Sequence, residues 1–329
     1  MNITWWVRAC SVAALLIVPA AGFATAQETY PARPITLVVP FPAGGPSDAL
    51  ARLVGQAMAT DLKETVVVEN YSGASGTIGL GRVVKSPPDG YTLGFGTVGT
   101  HVANVALFDH LPYDPIADFI PIGLAGSAPT MLVAKPGLPV SNLKEFVAYV
   151  SVNHAKMTYG SAGVGSISHY ACVVLLSSLK LNVAHVPYRG VAPAMNDLMG
   201  GHIDFMCDQT TTALPQVAGG KIKALAVLTA EKLPQLSAIE TVAAAGYKDV
   251  NIRSWNAIFA PKGTPPAIVE RLNKALRVAF AGAELKKQLE KVGVDAPTGA
   301  ALAPNAVTAL IKDGLEREVP ALRARREPN

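Results

Sequence analysis

The sequence of 329 residues contains few charged and few aromatic side chains. Asp, Glu, Lys and Arg make up 16% of it and aromatic residues 6%, and the formal net charge is only +4. Proteins that bind nucleic acid carry a clustered basic face. The one dense basic patch here is Arg323–Arg326, which we interpret as a solvated tail. The composition therefore argues against a nucleic-acid partner.

Long apolar runs are also scarce. The most apolar run follows Arg8, is interrupted by Pro19 and Gly22, and ends at an A-x-A motif at residues 24–26. It is too short for a membrane-spanning helix, which needs about 20 apolar residues. Because this pattern is typical of a secretory signal peptide, we predict that residues 1–26 are removed and that the mature protein is soluble and exported.

Cysteine is rare as well, with three in the sequence. Cys10 lies in the predicted leader, so Cys172 and Cys207 remain in the mature chain. An exported protein can form a disulfide, but both cysteines lie in apolar runs, and we favour the interpretation that they are small core residues. Two cysteines are too few for the usual sets of zinc ligands, which argues against a structural zinc site.

The chain length suits two domains of roughly 150 residues each. Strand-like and helix-like segments alternate from residue 35 onward, and a second series of the same kind begins near residue 130. Such alternation predicts βαβ units and a mostly parallel sheet. A long helical run over residues 266–293 is predicted near the end of the chain. Two similar α/β series indicate two lobes.

The loop Pro40–Asp48 separates a predicted strand from a predicted helix. It contains Gly44, Gly45 and Ser47 but no Lys or Arg. Glycine lets the backbone approach a ligand closely, and a helix N-terminus offers unpaired N–H groups and the positive end of its dipole. The loop can therefore bind an anion. The alternative is ordinary helix capping by Ser47 or Asp48, and this loop alone does not decide between the two.

A second loop of the same kind lies within Tyr159–Tyr170. Its possible N–H and O–H donors are Ser161, Ala162, Gly163, Gly165 and Ser166. Two such loops, one in each α/β series, could hold a carboxylate between them. The repetition favours the anion-binding interpretation over capping.

Patterns typical of other functions are incomplete. The segment Gly94–Gly99 matches the dinucleotide fingerprint G-x-G-x-x-G, but the acidic residue expected at the end of the next strand is missing. No serine of the second loop stands in the G-x-S-x-G motif of a nucleophile elbow, and the histidines lack paired metal-ligand spacing. We therefore predict no cofactor, no metal and no catalytic residue.

Several motifs between Tyr30 and about Gly293 resemble the Bug-type periplasmic solute-binding receptors of tripartite tricarboxylate transporters. They are YPARPITLVVPFPAGGPSD, VVVEN with SGASGTIG, PPDGYTLGFGTVGTH, LPYDPIADFIPIG, MTYGSAGVGS, HVPYRG, DLMGGHIDFM and SWNAIFAPKGTP. The motifs occur in the family's order and span nearly the whole mature chain, which makes the resemblance specific.

The resemblance implies a type II periplasmic-binding-protein fold, an α/β fold with two lobes and a ligand cleft between them. Lobe 1 would comprise residues 27–129 and 254–329, and lobe 2 residues 130–253. The implied function is to capture a small carboxylated solute in the periplasm and deliver it to the membrane permease subunits of a transporter. We expect no enzymatic activity and a monomer.

The two loops and the family pattern together predict the ligand-binding residues. They are Phe41, Ala43, Gly44, Gly45, Ser47, Asp48, Ser75, Thr97, Thr100, His101, Ser161, Ala162, Gly165, Ser166 and Asp208. Asp208 follows a predicted strand, and its alternative role is the N-cap of the next helix. Arg189 is either a cation near the ligand or an exposed loop residue.

The chain departs from the family pattern where Tyr71 and Ser72 replace an Arg and a Pro, and where Pro46 replaces a common glycine. These changes bear on which carboxylate binds. Two other functions stay open from the sequence: a secreted hydrolase that uses the same cleft, and a ligand-sensing receptor that acts on a signalling partner.

Overall fold

The computed structural model describes residues 30–324. The predicted signal peptide, residues 1–26, lies outside the described residues, as do the last two arginines of the basic tail. No helix of the described part of the chain combines the length and apolarity that a membrane crossing requires.

Short runs rich in Val, Ile, Leu and Phe form the strands, because such side chains suit a sheet that is covered on both faces. The strands are β1 (Ile35–Val39), β2 (Val66–Asn70), β3 (Thr92–Thr97), β4 (Phe119–Ala134), β5 (Thr158–Ser161), β6 (Ala184–Pro187), β7 (Phe205–Gln209), β8 (Lys223–Val227) and β9 (Arg253–Pro261).

Amphipathic segments between the strands form helices that cover the sheet. They are α1 (Pro46–Leu62), α2 (Thr77–Val84), α3 (Asn104–Leu107), α4 (Leu143–Asn153), α5 (Ile167–Ser178), α6 (Val191–Gly200), α7 (Thr210–Ala218), α8 (Pro266–Ala281), α9 (Ala283–Lys291) and α10 (Pro304–Ala324). The long helical run predicted over residues 266–293 is wrong in one respect, since extended backbone at Gly282 divides it into α8 and α9.

The strand order is β2-β1-β3-β9-β4-β7-β5-β6, and β8 also pairs with β4. At the two ends of the sheet, β1 pairs with β2 and β3, and β5 pairs with β6 and β7, all in parallel. In the centre, β9 runs antiparallel to β3 and β4, and β4 runs antiparallel to β7 and β8. The prediction of a mostly parallel sheet is therefore wrong for the central strands of the sheet. The reason is that β4 and β9 are connecting strands that run against their neighbours.

Strand β4 joins the two lobes of this type II periplasmic-binding-protein fold. Its residues Phe119–Pro129 pair with β9, and its residues Thr130–Ala134 pair with β7 and β8. Separate apolar cores lie on the two sides, one around Leu37 and Phe95 and the other around Phe146 and Phe205. The lobe boundaries at 129/130 and 253/254 stay a prediction.

Cys172 and Cys207 form a disulfide between α5 and β7. The interpretation of both as unpaired core residues is therefore wrong, although both are completely buried. The sequence could not decide this because pairing depends on α5 packing onto β7, which brings the two Cα atoms within 5.3 Å.

We expect that replacing both cysteines with alanine lowers the free energy of unfolding by about 3–4 kcal/mol, because the crosslink restricts the unfolded chain. The two residues are 35 positions apart in the sequence. Urea denaturation of the mature protein with and without reductant measures the effect, and reductant should leave the double variant unchanged. Two free thiols in the denatured, unreduced protein would contradict the disulfide.

Candidate functional site

A cavity of about 460 Å³ opens between loops that follow strands of both lobes. Lobe 1 contributes the loops after β1, β2 and β3, and lobe 2 the loops after β5, β6 and β7. The lining residues are Pro40, Phe41, Pro42, Gly45, Pro46, Ser47, Ser72, Gly73, Ala74, Ser75, Gly76, Thr97, Gly99, Asn104, Ala162, Gly163, Val164, Gly165, Ser166, Ile167, Ser168, Arg189, Gly190, Val191, Gln209 and Ser254.

Five helices begin at this cavity. The N-cap residues of α1, α2, α5, α6 and α7 all belong to its lining, and they are Gly45, Gly76, Ser166, Gly190 and Gln209. Of the five, only Ser166 caps its helix with its own side chain. Because unpaired N–H groups and the positive ends of the helix dipoles meet here, the cavity favours an anion.

Hydrogen bonds to the carboxylate of Asp48 hold the first loop, Pro40–Asp48, in place. The carboxylate of Asp48 is buried and accepts hydrogen bonds from Gly44 N (3.0 Å) and Asn70 Nδ2 (3.0 Å), and it pairs with Arg52 (2.9 Å). Burial alone would raise the pKa of Asp48, but the bonds from Arg52, Gly44 and Asn70 together hold it below its usual value. Asp48 therefore fixes the loop, and Arg52 neutralises its charge.

The second loop is held by hydroxyl groups. Ser161 Oγ lies 2.7 Å from His185 Nε2 and accepts a hydrogen bond from Gly163 N. Ser168 Oγ accepts a bond from Ala162 N (2.9 Å), and Ser166 Oγ donates to Gly163 O (2.7 Å). Ser161 is completely buried, so its hydroxyl acts within the protein and fixes the loop.

His101 lies beneath the lobe 1 side of the cavity. It is completely buried, stacks on Phe259 with ring centroids 4.0 Å apart, and contacts Thr100 Oγ1 through Nδ1 (3.0 Å). Burial lowers the pKa of His101 to about 3, so the ring is neutral. Thr100 Oγ1 in turn accepts a bond from Thr97 N, which places His101 behind a residue of the cavity lining.

Asp208 is buried at the end of β7, next to the lining residue Gln209. Its Oδ2 accepts a hydrogen bond from Thr212 Oγ1, whereas its Oδ1 has no partner in the described part of the chain. Burial raises the pKa of Asp208 to about 7, against the opposing effect of the bonds from Thr212 and Gln209 N. Gln209 is the N-cap of α7, so the alternative role of Asp208 as the cap is wrong.

The predicted site residues fall into two groups. Those in the cavity lining are Phe41, Gly45, Ser47, Ser75, Thr97, Ala162, Gly165 and Ser166. Those outside the lining are Ala43, Gly44, Asp48, Thr100, His101, Ser161 and Asp208. Contact of either group with a ligand stays a prediction.

The lining also includes polar side chains that we did not predict. Asn104, Ser168, Gln209 and Ser254 are the main ones. Gln209 stands at the carboxyl end of a strand-like motif that was recognised in the sequence, so the rule that ligands bind at the carboxyl ends of strands could have identified it. Ser254 lies near the start of β9, which runs antiparallel to its neighbours, so that rule does not apply to it. Asn104 lies inside a helical pattern, and nothing in that pattern distinguishes it. Arg189 is exposed and lines the cavity.

Residues 50–326 match the sequence profile of the tripartite tricarboxylate transporter family receptor, TctC. The chain belongs to this family. An Agrobacterium vitis relative, a UPF0065 protein in the TAR-I ttuE-ttuC' intergenic region, is 41% identical over 78% of this chain and 74% of its own. Protein BugT of Bordetella pertussis is 30% identical over 92% of this chain and 93% of its own.

Solved structures of the family have the same fold. The periplasmic binding protein BugD superposes with a TM-score of 0.85 at 38% identity, covering 90% of this chain and 98% of BugD. MatC from Rhodopseudomonas palustris, solved with bound malate, gives 0.83 at 36% identity over 89% and 100% of the two chains. Rpa4515 from R. palustris, solved with adipate, gives 0.84 at 31% identity over 90% and 98%.

The raised pKa of Asp208 predicts a pH-dependent contribution to stability. The folded protein keeps a proton on Asp208 up to about pH 7, whereas the unfolded chain releases it near pH 4. This contribution is full below pH 4 and is lost as the pH rises through 7. We expect wild type to lose about 3 kcal/mol relative to Asp208→Asn between pH 5 and pH 8.

Urea denaturation of both proteins at the two pH values measures this difference. The variant Asp249→Asn removes an exposed carboxylate and serves as the matched control. A difference between wild type and Asp208→Asn that does not change with pH would contradict a protonated Asp208.

Proposed function

We propose that this protein captures a small carboxylate in the cavity and delivers it, in the periplasm, to the membrane subunits of a tripartite tricarboxylate-type transporter. The observation that carries the proposal is the convergence of five helix N-termini on one cavity. The malate and adipate bound by MatC and Rpa4515 support a carboxylate as the ligand. The family description supports a transporter as the partner, and we keep the prediction of a monomer.

The first carboxylate would lie between the N-termini of α1 and α5. The lining residues there, Gly45, Ser47, Ser166 and Ser168, carry backbone N–H and hydroxyl groups. No Asp or Glu side chain belongs to the cavity lining in the described part of the chain, so an anion meets no repulsion from the wall. Preorganised dipoles can replace the water around a carboxylate without the cost of burying a Lys.

A binding protein without chemistry accounts for the Ser161–His185 pair better than a hydrolase does. Ser161 Oγ is completely buried and already bonds to Gly163 N. His185 contacts Ser161 and stacks on Tyr159, and no carboxylate bonds to it in the described part of the chain. A nucleophilic serine needs access to substrate and a base that a third group orients. This pair offers neither feature.

We expect small dicarboxylates to raise the melting temperature, while the corresponding amides leave it unchanged. Ligand at a hundred times its dissociation constant stabilises the folded state by about 2.7 kcal/mol. For a domain of this size that corresponds to roughly 5–10 °C. A thermal-shift screen with succinate, malate and adipate beside their diamides tests this, and equal shifts by acids and amides would contradict carboxylate binding.

Gly45→Val is the matched variant for the screen. It places a side chain in the cavity lining, where its Cβ would lie 3.3 Å from Pro42 O. Gly137→Val is the control, because its Cβ meets nothing within 4 Å. Ser166→Val suits the test less well, since loss of the α5 cap costs about 1 kcal/mol by itself. Full carboxylate affinity in Gly45→Val would place the ligand elsewhere.

We also expect Gly190→Ala to weaken carboxylate binding by tenfold or more. Gly190 has φ +137°, and a Cβ there would lie 2.9 Å from Pro42 Cγ across the mouth of the cavity. The control Gly201→Ala lies at the other end of α6, at φ +80°, and its Cβ meets nothing within 4 Å. Isothermal titration should show reduced affinity in Gly190→Ala alone. Equal affinities in both variants would mean that binding does not depend on this contact.

A further inference from the structure

Arg189 is the one charged side chain in the cavity lining, among the residues that the structure describes. It is exposed, and it has no hydrogen bond or ion pair with any described residue. Arg52, by contrast, is paired with Asp48, and Arg271 with Asp61. A guanidinium has donors arranged to bind a carboxylate through two parallel hydrogen bonds, and at Arg189 these donors are unused.

The backbone on both sides of Arg189 is fixed between the two anion-binding loops. Tyr188 N donates to Ser161 O (3.0 Å), and Tyr188 Oη donates to Asp197 Oδ2 (2.6 Å). On the other side, Gly190 is the N-cap of α6 and approaches Pro42 of the opposite lobe. Arg189 therefore stands where the second loop and the first loop meet, at the solvent end of the cavity.

The positive charge around the cavity exceeds the negative charge of a single carboxylate. Each helix N-terminus carries a partial charge of about +0.5, five of them end at the lining, and Arg189 adds a full positive charge. The nearby carboxylate of Asp48 is already neutralised by Arg52. A ligand with two negative charges would match this distribution better than a ligand with one.

We propose that Arg189 binds a second acidic group of the ligand and so makes the site selective for dicarboxylates over monocarboxylates of the same shape. This inference rests on the proposed function and specifies its ligand class. The first carboxylate lies at the N-termini of α1 and α5, and the second pairs with the guanidinium of Arg189 beside the N-terminus of α6. Because Arg189 is exposed, salt weakens this pair more than it weakens the bonds to the first carboxylate.

Isothermal titration of the mature protein with matched ligand pairs tests the role of Arg189. The pairs are succinate with succinamate, and adipate with adipamate, which differ in one carboxylate but have the same shape. We expect wild type to prefer the diacid by tenfold or more. Arg189→Gln should abolish that preference and leave the affinity for the half-amide unchanged, and Arg189→Lys should keep part of it.

Arg277→Gln is the matched control, because Arg277 is exposed on α8 and outside the cavity lining, and the change removes the same charge. It should keep the preference for the diacid. Retention of that preference in Arg189→Gln would overturn the inference, as would an equal loss of affinity for diacid and half-amide. If wild type binds acids and half-amides equally, this inference fails and the proposed function stands. If no carboxylate binds at all, both fail.

Discussion

The pairing of β4 with both lobes is the constraint on which the site depends. Residues Phe119–Pro129 hydrogen-bond to β9, and the same strand continues into Thr130–Ala134 against β7 and β8. Since the backbone groups of a buried strand must be paired, this strand fixes how the two lobes face each other. The strands of both lobes then end at a common edge, and the loops that follow them form the cavity.

Backbone N–H groups that have no partner within their own helices lie together at that edge of the sheet. Each helix leaves N–H groups unpaired in its first turn, and four of the five helices at the cavity lack a side-chain cap. Capping side chains would have filled the space where a ligand can reach these groups. Asp48 and Ser161, whose side chains accept backbone hydrogen bonds here, are buried behind the loops and hold their shape.

Much of the fold and both principal loops could be predicted from the sequence, because strand and helix periodicity and turn glycines are local signals. Features that depend on tertiary packing were missed. The disulfide needed the packing of α5 on β7. His101 and Asp208 could be placed near the cavity by motif, but their complete burial could not.

Helix α10 was not predicted, although its sequence carries an apolar periodicity. Val307, Ile311 and Val319 are buried at multiples of four residues, and Leu315 completes the row. Pro320 follows the last residue of this row and lies within the helix, although proline usually marks a helix boundary. The division of α8 from α9 at Gly282 is the opposite case, since the apolar pattern continues across a break that only the backbone reveals.

The contacts across the mouth of the cavity are made by very small groups. Gly190 approaches Pro42, and Gly44 approaches Ala192. Such groups bury little apolar area, and the free energy of their contact is correspondingly small. These contacts therefore add little to the arrangement of the lobes that the pairing of β4 sets. Because these residues are so small, a ligand that touches both loops would supply most of the free energy that holds the loops together at the mouth of the cavity.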